Sequence, residues 1–179
     1  DFLADNLLLL GITLPESLEM IHESAFVGCS SLKSITVPEG VTTLCAYVFS
    51  GANYLEEVIL PESLKTIGGS ALAGCVRLKS IEIPDSVTEI RSGAFNGCTG
   101  LTSIDFPASL TVIGSRAFYG CTGLTSMSFP EGITKLDYEA FYGCTGLTEV
   151  QLPDSMTYFG YNLFQNCTGL QSINYPADL

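Results

Sequence analysis

The chain is expected to fold as a solenoid of 23-residue coils, and three observations carry that expectation. Its eight prolines stand at 15, 38, 61, 84, 107, 130, 153 and 176, always 23 residues apart. Phenylalanine or leucine keeps the same period at Phe26, Phe49, Leu72, Phe95, Phe118, Phe141 and Phe164. Cysteine keeps it at Cys29, Cys75, Cys98, Cys121, Cys144 and Cys167. Self-similarity at such a period marks a stack of units, each unable to bury its apolar face alone.

One unit, 101–123, shows the elements in order. Leu101-Thr-Ser-Ile104-Asp-Phe106 is a strand signal whose last two apolar positions obey the two-residue period and point into the coil. Pro107 cannot donate to a parallel ladder and ends the strand, and the Pro-Glu-Gly, Pro-Asp-Ser and Pro-Glu-Ser sequences at this place in other units are turn sequences. Leu110 and Ile113 begin the return side, and Ala117, Phe118 and Cys121 fill the interior beneath it. Gly120 lets the chain bend close to its neighbour. The return segment holds one or two helical turns at most. With identical positions about 4.8 Å apart, the rings form a continuous interior spine.

Seven units begin at Leu9, Leu32, Leu55, Leu78, Leu101, Leu124 and Leu147 and fill 9–169; an eighth starts at Leu170 and runs to Leu179, and 1–8 reads as the worn tail of a preceding unit. A single solenoid domain over 1–179 is expected, with both ends cut from something longer. No apolar run reaches the 18 residues of a membrane span. The most apolar stretch, 2–14, lacks the basic start and cleavage site of a signal peptide.

The chemistry-bearing residues are few. Six of seven cysteines share one repeated position, and Ala52 takes that position in the second unit. Stacked neighbours about 4.8 Å apart exceed the roughly 3.5 to 4.5 Å between β-carbons that a disulfide needs, so a buried thiol ladder is expected, with cysteine as a small hydrophobe. Cys45 stands apart, where other units carry Gly68, Gly114 or Gly160. A single histidine, His22, and a straight file of thiols do not converge into a zinc site. No nucleophile elbow, phosphate loop or His-Glu-x-x-His is present, so no catalytic residue, metal site or cofactor is assigned.

Nineteen acidic against seven basic residues give a net charge of -12, which repels nucleic acid and anionic membranes. Directly after the prolines stand Glu16, Glu39, Glu62, Asp85, Glu131 and Asp154, one file of carboxylates. These are either solvated turn residues or a cation-facing edge, for calcium or a basic partner. The outward strand positions form two columns, one containing Glu57 and Glu149, the other Glu82 and Asp105, on an otherwise serine-rich floor. Binding is expected along this face, from Glu57 through Glu82 and Asp105 to Glu149, with Glu62, Asp85, Glu131 and Asp154 steering a basic partner. Tyr119, Tyr138, Tyr142, Tyr158, Tyr161 and Tyr175 cluster late and offer an aromatic patch for sugar or peptide, or else lateral packing between coils.

The pattern Leu101-Thr-Ser-Ile-Asp-Phe-Pro, Leu110-Thr-Val-Ile-Gly, Ala117-Phe-Tyr-Gly-Cys resembles the BspA-like, Treponema-type leucine-rich repeats of 23 residues, over 9–179. Val48 and Leu163 depart from it at the alanine, Leu72 at the phenylalanine, Ala52 at the cysteine and Asn166 at the glycine. The resemblance implies a right-handed leucine-rich repeat solenoid with a parallel sheet on its concave side and short strand and turn segments on its convex side. It also implies an exported or cell-surface protein of a host-associated bacterium, in a family that includes adhesins, and offers no catalytic residues. Two functions compete: an adhesive module for a protein or glycoprotein ligand, host matrix included, and a structural spacer joined to another domain. A monomer is expected, attached to a membrane only through an anchor outside this chain. At the open end, Leu152, Leu163, Phe164 and Ile173 are expected to be exposed to some degree.

Overall fold

The computed structural model describes residues 3–174 and shows parallel coils stacked at a 23-residue register. Three ladders hold each coil to its neighbours. The first is built from the segment before the proline. β1 (Ser34–Thr36) pairs with β3 (Glu57–Ile59), and β7 (Ser126–Ser128), β9 (Glu149–Gln151) and β11 (Ser172–Ile173) make a three-stranded sheet. In the four longer strands the central residue, Ile35, Val58, Met127 or Val150, is buried between two exposed ones, as a two-residue period demands. Between β3 and β7 the ladder shrinks to one bridge, Glu82 to Asp105. That bridge persists although it sets two like charges directly opposite, an arrangement that weakens pairing.

The proline turn closes with a hydrogen bond from the residue three places on: Leu64 N to Pro61 O, Val87 N to Pro84 O, Leu110 N to Pro107 O, each 3.0–3.1 Å. Next comes the second ladder. β2 (Thr43–Leu44), β4 (Thr66–Ile67), β5 (Glu89–Ile90), β6 (Val112–Ile113), β8 (Lys135–Leu136) and β10 (Tyr158–Phe159) form one unbroken six-stranded parallel sheet. These short strands are the return side of the sequence, and they pair more continuously than the first face.

The third ladder lies in the return segment, where alternate N–H groups donate forward to the next coil: Gly93 N to Ser115 O, Phe95 N to Ala117 O and Gly97 N to Tyr119 O, 2.7–2.9 Å. Forward bonding requires two left-handed residues per coil. One is the expected glycine, as at Gly120 (φ 68°); the other falls at Ser24, Tyr47, Ser70, Gly93, Arg116, Glu139 and Asn162, all with φ between 53° and 68°. No helix forms among the described residues.

One apolar core runs through the stack from Ile21 to Cys167. Phe95, Phe118, Phe141 and Phe164 stack at 5.0, 5.2 and 5.6 Å between centroids. Phe26 and Phe49 stack at 5.5 Å, and Leu72 continues the file without a ring. Phe106 and Phe129 add a second stack that meets Phe118 and Phe141 edge-on. At the C-terminal end the expectation of exposure is corrected for two residues: Leu152 and Leu163 are buried, and only Phe164 and Ile173 are half-buried. Asn174 explains part of this, since its amide accepts from Leu152 N at 2.6 Å and donates to Leu152 O at 3.0 Å, doing the work of another strand.

Candidate functional site

The candidate surface is the first ladder and the proline edge beside it. Glu57, Glu82, Asp105 and Glu149 are all exposed, as are the edge acids Glu62, Asp85, Glu131 and Asp154. The structure brings Glu82 and Asp105 together as bridge partners, while Glu57 sits beside Ser34 and Glu149 lies between Ser126 and Ser172. Along the edge, Glu39 Oε1 accepts a 3.4 Å bond from Glu62 N, which places successive turns side by side.

The ion pairs among the described residues use none of these eight candidate acids. They join Arg77 to Glu56, Arg91 to Glu89, Arg116 to Glu139 and Lys135 to Asp137. Four of the chain's seven cations are therefore paired with other acids. The sequence reading did not single out these pairs, yet their spacing carried a signal: Glu89 with Arg91 and Lys135 with Asp137 are two apart, and Arg116 with Glu139 is 23 apart, one coil on.

The remaining chemistry-bearing residues do not assemble a reaction centre. His22, Glu19 and Glu23 are all exposed. Among the described residues, no three histidine, cysteine or acidic side chains converge as metal ligands. All seven cysteines are free thiols, six of them buried. Each buried thiol donates to a carbonyl 26 residues earlier, one coil back: Cys29 to Leu3, Cys75 to Phe49, Cys98 to Leu72, Cys121 to Phe95, Cys144 to Phe118 and Cys167 to Phe141, at 3.0–3.4 Å. Burial pushes the Cys98 thiol up to about 12 and raises Cys75 and Cys121 well above the ordinary thiol range. A hydrogen bond with Cys167, and then burial, raise Cys144. Such thiols are poor nucleophiles.

The late tyrosines pack laterally. Tyr119 stacks on Tyr142 at 4.8 Å, Tyr138 stacks on Tyr161 at 5.3 Å, and Lys135 Nζ lies 5.2 Å from the Tyr158 ring centre. Tyr175 lies outside the described residues.

Comparison with known proteins decides the family. The BspA type leucine-rich repeat region matches in six copies over residues 5–99 and 66–179. The chain belongs to that family. A crystal structure of a Treponema pallidum leucine-rich repeat protein is similar at 32% identity and a TM-score of 0.78, over 85% of this chain and 72% of that one. A leucine-rich cell surface protein of Faecalibacterium prausnitzii matches at 26% identity and a TM-score of 0.53, over 86% of this chain and 62% of that one. A leucine-rich repeat protein of Eubacterium ventriosum matches at 29% identity and a TM-score of 0.74, over 84% of this chain and 41% of that one. No curated protein matches in sequence. BspA-type repeats occur on surface proteins, and repeats of this kind are generally non-enzymatic. No helix among the described residues is long and apolar enough to cross a membrane.

Proposed function

We propose that this chain is a non-enzymatic binding module of an exported, surface-displayed protein, which captures a basic protein or glycoprotein, host extracellular-matrix proteins among them, on its first face. The observation that carries the reading is the set of eight exposed acids without cation partners, set against four other acids that have them. Only stacking brings residues 23 apart into adjacent columns, and aligned like charges reinforce one another's field. That field steers a basic partner and sets its register; it adds on-rate and specificity more than raw affinity. The kinship with a named cell surface protein supports the setting. A monomer suffices, because each coil presents its acids outward without a partner chain.

The short serine side chains of the same face favour a second reading, a spacer, since buried aromatic anchors dominate most strong interfaces. Surface plasmon resonance against a panel of purified extracellular-matrix proteins separates the two. The module reading expects capture of basic members that weakens steeply between 50 and 300 mM salt, about one screening length near 8 Å being reached at physiological strength. No capture of any member at low salt contradicts it.

A further inference from the structure

A second surface, on the third ladder, differs chemically from the acidic face. The eighth and ninth residues after successive prolines are Ala46-Tyr47, Gly69-Ser70, Ser92-Gly93, Ser115-Arg116 and Tyr138-Glu139. The small residues in the middle of this file leave a trough of about 370 Å³, ended by Tyr47 on one side and Tyr138 on the other. Four coil spacings separate the two tyrosines, about 19 Å. The floor has no room to be filled casually: a Cβ on Gly93 would come within 2.9 Å of Ser70 Oγ.

Ser115 marks the trough as more than a gap between large residues. Among the described residues it is the one polar side chain in the buried class, 7% exposed, and it lines the trough. Its hydroxyl has no hydrogen bond within the protein, and it is not sealed off from the trough. Serines at another repeated position, two after the proline, are bonded within the protein. Ser63, Ser86, Ser109 and Ser155 each donate to a carbonyl of the preceding coil, at Val41, Leu64, Val87 and Ile133. A nearly buried hydroxyl without a protein partner takes its hydrogen bond from whatever fills the trough, water or a ligand that displaces it.

We infer that this trough is a binding site for a neutral oligosaccharide, in which the Ser115, Ser92 and Ser70 hydroxyls and the Asn96 amide bond the sugar hydroxyls and the open face of Tyr138 carries a ring. The lining decides the ligand class. Tyr138 stacks on Tyr161 of the next coil with one face, which leaves its other face toward Ser115 and the trough. Serine and asparagine side chains both donate and accept, matching the mixed donors and acceptors of a sugar edge, while an aromatic face suits its C–H face. Charge is neutralised locally, because Arg116 Nε lies 2.6 Å from Glu139 Oε2. An extended peptide finds no free edge: the carbonyls of Gly69, Ser92, Ser115 and Tyr138 already accept from Tyr47, Ser70, Gly93 and Arg116 at 2.9–3.1 Å. The site stands independently of the acidic face.

The test is an array of neutral oligosaccharides printed beside sialylated and sulfated ones, read with wild type, Ser115→Ala, Ser92→Phe and Tyr138→Ala at low and high salt. Alanine at 46 and tyrosine at 138 occupy the same repeated position, so small and aromatic replacements both fit the coil. The expected result is binding of neutral members that salt does not alter, about five-fold weaker in Ser115→Ala, weaker by up to about ten-fold in Tyr138→Ala, and lost in Ser92→Phe, which fills the floor. Binding of no neutral member, binding of sulfated or sialylated members alone, or binding retained by Ser92→Phe overturns the site. Basic-protein capture should persist in Ser92→Phe, so failure here leaves the acidic-face reading standing, and the reverse holds.

Discussion

At the scale of single residues, stacking turns each position into a contact with its own equivalents. Phe118 lies between Phe95 at 5.0 Å and Phe141 at 5.2 Å, and also meets Phe106 edge-on. Phe118→Ala is expected to cost roughly 3 to 5 kcal/mol, because neighbours on both sides cannot close one cavity; thermal denaturation followed by circular dichroism measures it. Gly114 and Tyr47 make opposite cases. A Cβ on Gly114 would sit 2.7 Å from Ser92 N and 2.9 Å from Arg91 C, backbone atoms that cannot swing away, so Gly114→Ala should lose about 1 to 3 kcal/mol. Tyr47 holds φ 56° with a bulky side chain, and Tyr47→Gly should gain up to about 1 kcal/mol in the same melt by removing left-handed strain. The ring spine was legible because its residue type repeats. The left-handed column was not, since Ser24, Tyr47, Ser70, Gly93, Arg116, Glu139 and Asn162 share a conformation and no common chemistry. The forward-bonded ladder imposes that conformation, and no local sequence preference announces it. Ser115 escaped notice for a similar reason: only its three-dimensional burial distinguishes it from Ser92.

Among the elements, the thiol file links burial to pH. A thiol kept neutral by folding binds its proton where the unfolded chain, with a thiol pKa near 8.5, has released it. Folded coils then bind more protons than unfolded ones, and stability falls as pH rises from about 8.5 toward about 12, the value at Cys98, with nothing lost below that window. Melting temperature should therefore drop steadily above pH 9, and less steeply in Cys98→Ala, a change for which Ala52 is the chain's own precedent. A flat profile to pH 11 would place the thiols outside the core. The first ladder offers a second element-scale check. In its interrupted stretch Glu82 and Asp105 stay bridged with two carboxylates directly opposed, so Asp105→Thr should raise stability by up to about 1 kcal/mol in a denaturant titration. Strand and turn positions were legible from the prolines and the two-residue period. The third ladder was not, because its residues alternate between left-handed and ordinary conformations and carry no strand periodicity.

For the whole molecule, the stack converts a weak preference in each coil into an extended field. Acids that are unremarkable one at a time become two columns and an edge, and four of the seven cations pair with other acids. The acid columns could be listed from the sequence; their freedom from ion pairs could not, because pairs such as Arg77 with Glu56 depend on how side chains cross between coils. The direct test replaces Glu82, Asp105 and Glu149 together by serine, residues that all point away from the core. Surface plasmon resonance of this variant and wild type on the same basic matrix protein, at low and at physiological salt, reads the contribution of the face. Capture several-fold weaker in the variant at low salt, with the gap narrowing as salt rises, is the predicted result; equal capture by the two proteins at both salt concentrations would contradict it.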